Sequence, residues 1–192
     1  MKIQAIFLSV ASLAAASLDV GLIKETEPGP FQTNAYPVIA RLGSGKLLTV
    51  WTAHGKGESD SRIVGAVSPD GRKTWGAPRT IIDIPQMEDD DASIMVDGPR
   101  VFVYSTTVRP HEPAIERSQV FVSKSEDDAG TWSAPVEIRF PYRYFVGKRH
   151  IGIKLRNGML AMPFSWDLWA EKGTPARTEG EMDLASGVLL SK

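Results

Sequence analysis

Apolar and polar positions alternate in short runs along most of the chain, and turn-forming residues separate the runs. Residues 35–42 (AYPVIARL) are apolar and partly β-branched, Gly43-Ser44-Gly45 turns the chain, and residues 46–52 (KLLTVWT) follow. Residues 62–67 (RIVGAV) and 79–83 (RTIID) complete a first set of four predicted strands. Short runs of this kind, bounded by Gly, Pro, Asp and Ser, read as antiparallel strands. The pattern then restarts at 92–97 (ASIMVD), turns at Gly98-Pro99, and continues through 100–106, 118–124 and 136–140. A third round opens at 150–155, turns at Arg156-Asn157-Gly158, and continues through 159–164 and 184–190. Past the first residues no long run has the 3.6-residue period of a helix, so the chain is predicted to be all-β.

Both complete rounds carry the same motif between their third and fourth strands. Ser68–Trp75 reads SPDGRKTW and Ser125–Trp132 reads SEDDAGTW, 57 residues apart, and a small residue and Ala-Pro follow each copy. Self-similarity at a fixed period of this order signals repeated structural units. Ser and Asp side chains bond nearby backbone N–H groups and so stabilise tight turns. The Trp buries a large ring, worth roughly 1.5–3 kcal/mol. The motif therefore reads as a hairpin clasp rather than as a calcium or sugar site. The last residues, Ser191-Lys192, stand where a third copy would begin. The chain is accordingly expected to be a truncated one, with two units and most of a third. Its unpaired edge strands and uncovered apolar sheet faces would make it poorly soluble alone.

Composition narrows the classes of function. With 192 residues and a net charge of −1, the chain fits one or two soluble domains, without the basic patch that nucleic acid or an anionic membrane would need. It has no cysteine, which excludes disulfides and thiolate chemistry. Lys2 precedes the short apolar run AIFLSVASLAAAS, with Ala14-x-Ala16 or Ala15-x-Ser17 as a cleavage site. The run falls short of the ~20 residues that span a bilayer. Residues 1–17 read as a signal peptide, with a buried N-terminal helix as the alternative. Residues 18–31 are a lead-in and 32–192 the folded part, working outside the cell or in the periplasm. His54, His111 and His150 are scattered, and no spacing points to a metal or other cofactor.

The Ser-x-Asp-x-x-x-Thr-Trp motif resembles the Asp-box, or bacterial neuraminidase repeat, of the sialidase superfamily, and the resemblance covers residues 32–192. Arg72 and Ala129 stand where that repeat commonly has Gly. The resemblance implies a six-bladed β-propeller of four-stranded antiparallel blades, here incomplete with under three present. It also implies an exo-glycosidase that removes a terminal sugar from a glycan, sialic acid by default. In such enzymes an Asp is the acid/base, a Tyr activated by a Glu is the nucleophile, and three Arg hold the substrate carboxylate in bidentate pairs.

The resemblance places candidate residues one by one. Ala35-Tyr36-Pro37 matches the stretch that carries the first Arg, but Ala35 stands at the Arg position, which weakens sialic acid as the substrate. Arg41 reads as a surface residue rather than a substitute. Asp60, in the loop 54–61, is the match for the acid/base, with Glu58 the alternative. Asp91 begins Asp91-Ala92-Ser93, similar to the Asp-Pro-Ser whose Asp faces the substrate; the rival is a solvated acidic turn over 88–91. Arg149 and His150 open the third round and would bind hydroxyls or a carboxylate. Trp166 and Asp167 would give a stacking face and a hydroxyl ligand, against a core Trp and a turn-capping Asp. The Tyr, its Glu and two further Arg would come from later blades. Rival readings are a non-catalytic carbohydrate-binding propeller and a scaffold propeller.

Overall fold

Among the described residues all regular structure is β-strand. The computed structural model describes residues 31–55, 60–110, 118–140, 145–146, 150–167 and 184–191. The leader reading of residues 1–17 and nearly all of the 18–31 lead-in fall outside them. The first blade is an antiparallel meander of β1 (Phe31–Arg41), β2 (Leu47–Gly55), β3 (Ser61–Ser68) and β4 (Arg79–Ile82). The second repeats it with β5 (Glu88–Asp97), β6 (Arg100–Val108), β7 (Gln119–Ser125) and β8 (Val136–Ile138). The third contains β9 (Phe145–Val146), β10 (Ile151–Lys154), β11 (Leu160–Asp167) and β12 (Leu184–Ser191), with β9 and β10 both paired to β11. Short parallel contacts join the blades, Ser61 beside Glu88 and Ile151–Gly152 beside Ile94–Met95. The result is an incomplete propeller whose ring does not close among the described residues.

Period-2 alternation explains how three sheets stack. On β5 and β6, Ala92, Ile94, Val101 and Val103 face the first blade, where they meet Leu48, Val50, Ile63 and Ile82. Their neighbours Met95 and Tyr104 belong to the other face and meet Leu160, Met162 and Phe164 of β11. The second blade is thus apolar on both faces, which is why its strands read as continuous hydrophobic runs rather than strict alternation.

The first strand of each complete blade starts earlier than the apolar pattern predicts, and the acidic run is strand rather than solvated turn. Glu88, Asp89 and Asp90 pair with Val108, Thr107 and Thr106. Each of these strands then shifts register, β1 between Ala35 and Val38 and β5 between Asp90 and Ser93. An extra residue sits in each shift with a left-handed backbone, Tyr36 at φ 57° and Asp91 at φ 51°. These are β-bulges, which re-aim side chains.

The two motif loops have the same wiring. Asp70 accepts the Thr74 N–H and hydroxyl, both at 2.8 Å, while Ser68 accepts the Arg72 N–H at 2.7 Å. Asp127 accepts the Thr131 N–H at 2.8 Å and hydroxyl at 2.7 Å, and Ser125 accepts the Ala129 N–H at 3.0 Å. The Thr131 N–H first, then its hydroxyl and that of Ser125, hold the Asp127 carboxyl down at about 2. Trp75 packs on the outer face of the first blade, and Trp132 on the core between the first two. The second loop also joins blades: Asp128 accepts the Ser44 N–H at 3.2 Å and donates its own N–H to the Pro99 carbonyl at 2.9 Å.

Candidate active site

The meander sorts the loops to two ends. The β1–β2 and β5–β6 turns and both motif loops lie at one end. The end of β2 and the starts of β1, β3, β5 and β10 lie at the other, and the sequence candidates among the described residues fall at this second end.

Asp60 stands at the head of β3, half-buried, where its carbonyl accepts the Gly55 N–H at 3.0 Å and closes the β2–β3 connection. The next residue, Ser61, donates its hydroxyl to the Asp89 carbonyl at 3.0 Å, which ties the head of β3 to β5. Asp91 is buried on its bulge, and its N–H donates to Asp90 Oδ1 at 2.9 Å. Asp90 Oδ1 also accepts the Thr52 hydroxyl at 2.8 Å, and Thr52 is the register partner of Ala35. A polar carboxylate clamp therefore lies beside Ala35, where the resemblance implies an arginine. Arg41 is exposed at the far end and donates to the Gly45 carbonyl at 3.0 Å.

His150 precedes β10, exposed, and its N–H donates to the Ser93 hydroxyl at 3.1 Å while its carbonyl accepts the Ile94 N–H. The structure thus brings His150 and the Asp91 bulge to adjacent inner strands. Glu58, Arg149 and the side chain of Asp167 lie outside the described residues. Trp166 is half-buried, its ring 5.9 Å from that of Phe140 and set against the backbone of Gly187 on β12. A Cβ at Gly187 would lie 2.4 Å from the Trp166 ring, so the ring fills the third blade's own packing.

Sequence reasoning passed over several residues at this end. Tyr36, presented by the first bulge, meets His54 edge-on at 6.1 Å, and Asn34 accepts the Trp51 indole N–H at 2.9 Å. Asp89, read only as part of an acidic run, is fully buried. Burial pushes its carboxyl up to about 7, against the Thr107 and Ile84 bonds that lower it, and the charges of Asp83 and Asp60 raise it further. A buried, perturbed carboxyl beside a loop carboxyl is a recurrent feature of functional sites. Among the described residues no group of three or more His, Asp or Glu is placed to hold a metal ion.

Solved structures share this arrangement of blades. A mutant of Trypanosoma rangeli sialidase displaying trans-sialidase activity aligns with 94% of this chain at TM-score 0.70 and 15% identity. A Hadza microbial sialidase aligns with 85% at TM-score 0.67 and 19% identity. The chain has the sialidase fold. It spans about a third of the length of these two sialidases, 34% and 36%. The intramolecular trans-sialidase from Ruminococcus gnavus, solved with oseltamivir carboxylate, aligns with 75% at TM-score 0.61 and 12% identity, over 58% of its own length. Trypanosoma rangeli sialidase itself is solved in complex with sialic acid. No protein-family model and no curated protein sequence matches the chain.

Proposed function

We propose that this chain supplies one side of the active site of a secreted, sialidase-like exo-glycosidase that removes a terminal sugar from glycans. The observation that carries the reading is the position of Asp60. It heads β3 at the same end of a sialidase fold as the bulges of β1 and β5 and as His150, and Ser61 next to it is tied to β5. There Asp60 would give its proton to the glycosidic oxygen as the bond to the leaving group breaks, and take a proton from the water that completes hydrolysis. Asp91 and His150 would bind sugar hydroxyls, with Arg149 and Asp167 as further candidates. The ring of Trp166 is engaged in packing and is the weakest of the sequence candidates for a sugar platform. The nucleophile and the remaining substrate ligands would come from other blades. The N-terminal leader supports export to the periplasm or the outside of the cell.

The test is hydrolysis of fluorogenic α-sialosides and neutral terminal glycosides by the full gene product, wild type and Asp60→Asn. Loss of about 10²–10⁴-fold in kcat is the expected result for a general acid/base. Unchanged turnover in the variant would remove Asp60 from that role. Glycan binding without turnover by the wild type would favour a carbohydrate-binding propeller.

A further inference from the structure

Asp89 has no exposed surface, so it offers nothing to a sugar directly. It is instead the point where three elements meet. The Ile84 N–H, from the connection leaving β4, donates to its Oδ2 at 2.7 Å. The Thr107 hydroxyl of β6 donates to its Oδ1 at 2.5 Å, and that hydroxyl lies 3.0 Å from Ser105 Oγ. Its peptide carbonyl holds the Ser61 hydroxyl, one residue from Asp60. A first-blade loop, a second-blade strand and the head of β3 are therefore all fixed by one residue.

We infer that Asp89 is a positioning residue for Asp60, holding the head of β3 on the second blade and setting the charge that stands behind the acid/base. The inference rests on the reading of Asp60 as that group. The charges bearing on Asp89 come from Asp83, after β4, and from Asp60 itself. The other charged residues on the elements around it are Arg62 on β3, Arg79 at the far end of β4, Glu88, Asp90 and Asp91 on β5 with Asp97 at its far end, Arg100 at the far end of β6, and Arg109 after β6. Because burial raises Asp89 to about 7, it is neutral in mild acid and gains its charge near neutrality. That change of charge falls on the residue that anchors the head of β3, next to Asp60. The sign for folding follows from proton linkage. Between about 4 and about 7 the unfolded chain has lost this proton and the folded chain keeps it, so the contribution is full below pH 4 and is lost as pH rises through 7.

The experiment is a carboxyl-carbon NMR titration of Asp89 in the full chain, wild type, Asp60→Asn and Thr107→Val, with a pH–rate profile for Asp89→Asn. Asp60→Asn is expected to move the Asp89 midpoint down, by removing a like charge, and Thr107→Val to move it up, by removing a bond to the anion. Asp89→Asn, whose amide oxygen still accepts from Ile84, is expected to keep KM and to erase the inflection near pH 7 in kcat. An Asp89 midpoint that ignores Asp60→Asn, or an inflection that survives in Asp89→Asn, would overturn the inference. The titration needs no turnover, so it decides the coupling even if hydrolysis by Asp60→Asn overturns the acid/base reading.

Discussion

Arg72 and Ala129 occupy the same position in two loops, and both hold a left-handed backbone, at φ 81° and 66°. For an L-residue that conformation costs about 1–2 kcal/mol, while a glycine there returns about 0.5–1 kcal/mol through the greater freedom of the unfolded chain. Arg72 is exposed, so Arg72→Gly should stabilise the fold by up to about 1 kcal/mol in denaturant unfolding. A loss of stability would show that the strain is absent. Ala129 is different, since its methyl is buried in the core between the first two blades, and glycine there would forfeit that burial. The sequence displayed both departures from glycine equally. Only the backbone angles and the burial show that one is strain at an exposed position and the other is strain offset by packing.

At the scale of elements, the strands were legible where apolar residues repeat and illegible where polar residues take over the ladder. Residues 100–106 were predicted as strand and β6 is Arg100–Val108, but β5 starts four residues before the predicted 92. Glu88 to Asp90 look like a turn in isolation, and pairing with Thr106, Thr107 and Val108 makes them strand. The bulges at Tyr36 and Asp91 were invisible for a related reason, because one extra residue leaves no mark in composition. Asp60, Asp91 and His150 were named from the resemblance, whereas Tyr36 and His54 meet through cross-strand register that the sequence does not display. Trp166 shows the opposite limit: an indole in a loop-like run reads as a sugar platform until Gly187 is found beneath it. Gly187→Val should therefore cost about 1–3 kcal/mol by overpacking, with a change in tryptophan fluorescence of the folded state. Unaltered stability and emission would mean that the ring is free of that packing.

For the whole molecule, the third blade presents an apolar face that no other described strand covers at its edges. Ile153, Ala161 and Leu190 lie across three strands in register, Pro163 pairs with Val188 beside them, and Ile151 lies two residues before Ile153 on the same strand. Ile151, Ile153, Val188 and Leu190 are each half or more exposed, while the opposite face buries Met162 and Phe164 on the second blade. Apolar patches of this kind drive association. The chain is expected to self-associate in size-exclusion chromatography, and the pair Val188→Lys and Leu190→Lys to restore a monomer without lowering the melting temperature. A monodisperse wild type would contradict this. The far end of the same stack has its own consequence. Ser44 sits in an exposed turn, yet its amide proton is held by Asp128, 84 positions away in the next blade. A surface hydrogen that ought to trade with solvent in moments is locked by a neighbour's loop. Its exchange therefore keeps time for the seam, slow while the two blades stay docked and fast once they part.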